Sequence, residues 1–341
     1  MNYNFKKKPN LKYRCEVINN SSINYQIFEA FLSYKDNKEY LASSNIGNFN
    51  IDIYTFFDNK KVLSLKGHEN KIKFIKYFIN IKDNYEYLVS VGEEKIIIIW
   101  DITDNYNLKY KINNGYKRPI SSCILIFPHN QIYNYFAEST TFCNQNNTRL
   151  YSLDNGDYIK EFKNAFPFPV YDLINWYNKE NDEYYIIEIG MDSIVITNLL
   201  LEDEIYYKYK INDEQIYHKG VLYESYEGDY LCSISLSTQI IIIELYTLTV
   251  IKKLLIPRPN IDLYTPINEF ILWNNKYIII NYKDIPLCFI FDLENVKIIS
   301  KFIISQTSSN SSIFIKKIYH STYGESLLIG KNKNIIELWS I

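Results

Sequence analysis

Side chains able to move protons, attack carbonyls or hold metals are few in this sequence and widely spread. Histidine stands at 68, 129, 218 and 320, and cysteine at 15, 123, 143, 232 and 288. None of them forms a His-x-His, His-Glu-x-x-His or Cys-x-x-Cys set, so spacing offers no metal site. With only 10 glycines there is no Gly-rich phosphate loop, and the Gly-x-Ser-x-Gly turn that presents a nucleophilic serine is absent. The expectation is no catalytic residue, no metal and no cofactor. Five unclustered thiols read as buried or incidental cysteines in a reducing compartment rather than a disulfide framework. The one stretch that gathers polar side chains of interest runs from Gly67-His68 to Trp100-Asp101, with Ser90 and Glu94 between them.

The elements around that stretch are strands. Ile72 to Phe78, Glu86 to Val91 and Lys95 to Trp100 are apolar runs separated by turn residues. The same character extends through the chain, which has 341 residues, 47% of them hydrophobic, with 33 Tyr and 19 Phe. β-Branched and aromatic side chains pack well on a pleated surface and lose rotamer freedom in helices. No long segment keeps a helical period between caps, so an all-β class is expected.

The pattern repeats. An aliphatic run ending in a bulky residue recurs at Tyr54, Trp100, Tyr151, Thr197, Ile243, Phe291 and Trp339, at intervals of 46, 51, 46, 46, 48 and 48 residues. Each interval holds a further strand about ten residues before the anchor, often ending in a small residue, such as Tyr40 to Ser43, Tyr87 to Ser90 and Tyr230 to Ser233. Earlier strands precede these, such as Ile120 to Ile126 and Val170 to Asn175. Four strands in each of seven units predict 28 short strands. The seventh unit stops after its third strand, whereas an extra strand, Leu11 to Val17, precedes the first.

The Gly-His and Trp-Asp pairs, the period and the strand count resemble a WD40 repeat protein. That resemblance implies one domain over 1–341, a seven-bladed β-propeller of four-stranded antiparallel blades, with 11–17 closing the last blade and 1–10 a flexible tail. It also implies that His68, Ser90, Glu94, Trp100 and Asp101 form a structural network fastening the second blade. An indole has a single donor and needs an acceptor when buried, which Ser90 can supply. The family usually places Asp where Glu94 stands. Units one and three to six carry Tyr54, Tyr151, Thr197, Ile243 and Phe291 at the anchor and lack the Gly-His pair, so burial of bulky apolar groups is expected to hold them.

The formal charge of -2 gives no overall field toward nucleic acid or acidic membranes. Lys6 to Lys8 read as a solvated tail, and Lys71, Lys73 and Lys76 as the outward face of a strand and its approach. There is no apolar leader near the start and no apolar run long enough to span a bilayer, so an intracellular, cytoplasmic setting is expected, with the nucleus open. The Phe-Arg-Arg-Gly motif of phosphoinositide-binding propellers is absent. Two proline-bearing loops, with Phe166 and Phe168 in one and Arg258 in the other, are candidate interaction loops. The function this favours is a non-enzymatic scaffold or adaptor binding proteins or peptides through its top face and rim. An enzyme using a central cavity and a nucleic-acid binder using basic loops are the alternatives.

Overall fold

The strand-forming composition is realised as 28 strands and, among the described residues, no helix. The computed structural model describes residues 10–16, 25–45, 47–58, 60–80, 83–103, 106–113, 120–128, 134–140, 148–162, 169–191, 193–201, 205–210, 216–236, 238–256, 267–282, 287–295, 297–303, 314–320, 324–331 and 335–340. The fold is an all-β, seven-bladed β-propeller of antiparallel sheets.

The chain opens with β1 (Asn10–Glu16). The first sheet is β2 (Tyr25–Leu32), β3 (Glu39–Asn45), β4 (Ile51–Thr55) and β5 (Lys61–Leu65). The second is β6 (Ile72–Asn80), β7 (Tyr85–Gly92), β8 (Ile96–Asp101) and β9 (Asn107–Asn113), and the third is β10 (Ile120–Ile126), β11 (Tyr135–Thr140), β12 (Thr148–Ser152) and β13 (Tyr158–Phe162). The fourth is β14 (Val170–Asn178), β15 (Glu183–Gly190), β16 (Ser193–Asn198) and β17 (Ile205–Lys210). The fifth is β18 (Tyr217–Glu224), β19 (Asp229–Ser235), β20 (Gln239–Glu244) and β21 (Thr249–Leu255). The sixth is β22 (Ile267–Trp273), β23 (Tyr277–Tyr282), β24 (Leu287–Asp292) and β25 (Lys297–Ile303).

The last segment supplies only three strands, β26 (Phe314–His320), β27 (Gly324–Lys331) and β28 (Ile335–Ser340). β1 pairs with β28 as the fourth. The expected closing strand is therefore present, displaced by one residue at its start. Asn10, expected in the tail, pairs with Ser340, while Val17 and residues 1–9 lie outside the described residues.

The anchors occupy one register slot. Tyr54, Trp100, Tyr151, Thr197, Ile243 and Trp339 lie opposite Leu41, Leu88, Phe136, Ile186, Leu231 and Leu327 of the preceding strand. In six sheets the pairing with the fourth strand slips on reaching the anchor, between Ile53 and Tyr54, Ile99 and Trp100, Leu150 and Tyr151, Ile196 and Thr197, Ile242 and Ile243, and, against β1, Leu338 and Trp339. A bulge of this kind bends a strand and sharpens its twist. The recurrent bulky residue marks the place where the outer strand twists away.

The described residues group into two compact units, Met1–Asn114 with Ile279–Phe291 and Ile299–Ile341, and Gly115–Ile278 with Asp292–Ile298. In the first unit, Ile53, Leu65, Ile75, Leu88 and Trp100 form a core between the first and second sheets, and Phe28, Leu41, Tyr54 and Leu338 one between the seventh and first. In the second unit, Leu150, Phe162, Leu173 and Ile186 join the third and fourth sheets, and Ile187, Ile196, Leu231 and Ile243 the fourth and fifth. Each such side chain contributes about 2 kcal/mol by leaving water.

Candidate functional site

Polar chemistry gathers in three places: inside the second sheet, along the first strands of several sheets, and at exposed recesses beside the hairpin turns. In the second sheet, the segment leading into β6 carries Gly67-His68 against β7 and β8. Trp100 Nε1 donates to Ser90 Oγ at 2.9 Å, His68 Nε2 lies 2.7 Å from the same oxygen, and His68 Nδ1 meets Glu94 Oε1. A Cβ on Gly67 would fall 2.9 Å from Trp100 Cη2, so a residue without a side chain is needed beside the indole. Burial raises the Glu94 carboxyl, but the hydrogen bond and charge of His68 outweigh it and hold it below the usual range. Asp101 accepts from Thr103 N at 3.0 Å and serves the turn that follows.

Glu94, His68 and Ser90 thus have the connectivity of an acid–base–nucleophile triad. Ser90 is nevertheless 0% exposed and takes the indole proton. A hydroxyl so placed cannot meet a substrate carbonyl.

The third residues of β14, β18 and β22 are Asp172, Lys219 and Glu269, and Ser122 has the same place in β10. Asp172 accepts from Ser122 Oγ at 3.3 Å, from its neighbour Leu173 N at 3.1 Å and from Gly220 N at 3.1 Å, linking three consecutive sheets. A Cβ on Gly220 would sit 2.3 Å from Ile189 Cδ1, so a larger residue there would have to displace that buried side chain. Burial lowers the Lys219 ammonium, yet Asp172 and Glu269 together hold it above its ordinary value. Burial pushes the Glu269 carboxyl up to about 7 against the pull of Lys219, and Asp172 adds to the rise. Burial and Lys219 push His218 down to about 4, which leaves it neutral at physiological pH, its ring 4.8 Å from Tyr171.

Other buried carboxylates join sheets in the same manner. Glu29 of β2 accepts Tyr77 N at 3.1 Å, lies 3.5 Å from Lys76 Nζ, both on β6, and faces Lys316 of β26. Glu86 of β7 accepts Ser33 Oγ at 3.2 Å and Lys35 N at 2.6 Å from the first sheet. Asp229 of β19 accepts Trp176 Nε1 from β14 at 3.1 Å and Tyr246 OH at 2.8 Å. Glu188 of β15 meets Thr148 of β12. The blades without the Gly-His pair are therefore not held by apolar burial alone.

Two recesses open at the ends of sheets where the first strand turns into the second. In the first sheet, Leu32, Lys38, Thr55, Phe56, Phe57 and Asp58 help to line about 310 Å³, and a neighbouring hollow is lined by Phe31, Ile318 and Tyr319. Leu32, Phe57 and Tyr319 are exposed there. In the fifth sheet, Tyr223, Tyr226, Tyr230, Ile251 and Leu293 help to line about 430 Å³. Strand direction puts both recesses at the end opposite the loops that pass from one sheet to the next.

His68, Ser90, Glu94 and Trp100 come together, whereas Asp101 serves a different turn. Phe166, Phe168 and Arg258 lie outside the described residues, as do His129, Cys143 and Lys6 to Lys8. Lys73 pairs with Glu93 at 2.7 Å, while Lys76, expected to face outward, approaches Glu29. Asp172, Lys219 and Glu269 were not anticipated; their shared slot in YDL, HKG and NEF is the signal that could have revealed them. Cys123 and Cys232 are free thiols. Among the described residues no group of His, Cys, Asp or Glu could hold a metal ion, and no helix is long and apolar enough to cross a membrane. No protein-family model matches the chain, and no curated protein matches it either.

Proposed function

We propose that this protein is a non-enzymatic interaction scaffold, a divergent propeller of the WD40 type acting as one domain over 1–341. His68, Ser90, Glu94 and Trp100 fasten its second blade, and its partners are proteins or peptides bound on its faces and rim. The observation that carries the reading is the first-sheet recess, where Leu32 and Phe57 are exposed, next to the hollow whose Tyr319 is 81% exposed. Clustered apolar surface around a concave site is what partner proteins cover. An intracellular setting keeps the thiols of Cys123 and Cys232 reduced.

Affinity purification of the full chain from its native cells tests this. A stoichiometric partner is expected, and the double variant Phe57→Ser, Tyr319→Ser should release it while leaving the fold intact. Recovery of the parent protein alone under native conditions would overturn the reading.

Glu269 favours a second reading, an enzyme, because a carboxyl titrating to about 7 beside Lys219 is suited to proton transfer. That role requires access. Rapid carbodiimide modification of Glu269 in the folded protein would support it, and protection equal to that of Asp172 would remove it.

A further inference from the structure

The fifth-sheet recess has a composition unlike its surroundings. The hairpin joining β18 to β19 runs through YESYEGDY, three tyrosines interleaved with three carboxylates. Tyr223 and Tyr230 form one wall, their ring centroids 5.8 Å apart and their planes inclined at 32°. Tyr226 stands wholly exposed at the rim, and Ile251 and Leu293 add aliphatic surface.

The acids of the hairpin are not equivalent. Lys179 takes Glu224 at 3.3 Å, and Trp176 and Tyr246 take Asp229. Glu294, from the β24–β25 turn, is held by Lys276. Glu227 lines the recess and has no ion-pair partner among the described residues. Lys252, on the outer strand, is the one cation in the described lining.

We propose that this recess binds an arginine side chain carried on an extended segment of a partner protein. The inference rests on the scaffold reading above and assigns the chemistry of a second contact. A ring face attracts a cation through its quadrupole, and a planar guanidinium can stack on a tyrosine while its edge donates to a carboxylate. Tyr223, Tyr226 and Tyr230 supply the faces, Glu227 the carboxylate, and Ile251 and Leu293 the surface for the aliphatic stem. The volume of about 430 Å³ accommodates one such side chain and its flanking backbone.

The test is saturation-transfer NMR on the full chain, with N-acetyl-arginine methylamide as probe and the citrulline equivalent as its uncharged control. Transfer to the arginine probe is expected, with about tenfold weaker binding of citrulline and about fivefold weaker binding by Tyr226→Ala and by Glu227→Gln. Equal binding of citrulline, equal binding of the lysine equivalent, or parent-like binding by both variants would overturn the proposal. Both substitutions lie in an exposed turn, and circular dichroism checks that they fold. Salt gives an arm without mutation: binding by the parent that does not weaken as ionic strength rises also overturns it. The two readings separate cleanly. Probe binding with no partner recovered removes the scaffold and leaves the site, whereas a partner released by the Phe57 and Tyr319 changes without probe binding does the reverse.

Discussion

Two buried indoles meet the same requirement differently. Trp100, in the third strand of the second sheet, donates to Ser90 of its own sheet. Trp176, in the first strand of the fourth sheet, donates to Asp229 of the fifth. Both are 2% exposed, so neither can turn to water for its acceptor. The first arrangement ties a blade to itself and the second ties it to its neighbour. Polar fastening is therefore not confined to the sheet with the Gly-His pair; it also lies at the seams between sheets, those of the second sheet included.

The largest effect should come from the seam. Asp229→Ala leaves the indole of Trp176 and the hydroxyl of Tyr246 without their acceptor, and a loss of about 3 kcal/mol is expected in urea unfolding. A loss below about 1 kcal/mol would show that these seams are held by apolar contact alone. Ser90→Ala strands Trp100 Nε1 and His68 within one blade and should cost about 2 kcal/mol. The two changes touch separate networks, so the double variant should be additive within about 0.5 kcal/mol. Coupling larger than that would erase the distinction between fastening within and between sheets.

Glu269 sharpens the comparison through pH. Its folded-state carboxyl titrates to about 7 against an ordinary value of 4.5, so the folded state holds the proton more tightly. The stability this contributes is complete below the ordinary value and is lost as pH rises through about 7. Glu269→Gln should therefore match the parent at pH ~5 and exceed it by on the order of 2 kcal/mol at pH ~8. Thermal melts across that range decide the matter, and parallel curves would remove Glu269 as a source of pH dependence. The smallest effect belongs to the exposed recess: Phe57→Ser should change unfolding free energy by no more than about 0.5 kcal/mol while abolishing partner recovery.

The anchors and the strands around them could be read from the residues, because strands covered on both faces demand near-continuous apolar runs, which recur here at a fixed period; the pairing of the first strand with the last followed from the resemblance. The slip of register beside six of the anchors could not be read, since a bulge is a property of the backbone that Tyr, Trp, Thr and Ile all accommodate. Nor could the seams. Asp172, Lys219 and Glu269 interrupt apolar strands as a solvent-facing residue would, and only the packing of one sheet on the next turns them toward each other. Lys76 misleads for the same reason, its partner Glu29 being supplied by another sheet. Tyr226 hides differently, as one of 33 tyrosines.

The pairing of β1 with β28 also bears on how the protein is made. Every other sheet is contiguous in the chain and can assemble once its own four strands exist. The seventh sheet alone requires Asn10 to find Ser340. During synthesis at roughly 5–20 residues per second, β1 waits on the order of tens of seconds before its partner emerges. Over that interval its backbone donors and acceptors remain open to any other strand edge. Completion of the seventh sheet therefore waits for Ile335–Ser340, and shielding β1 until then falls to whatever meets the nascent chain.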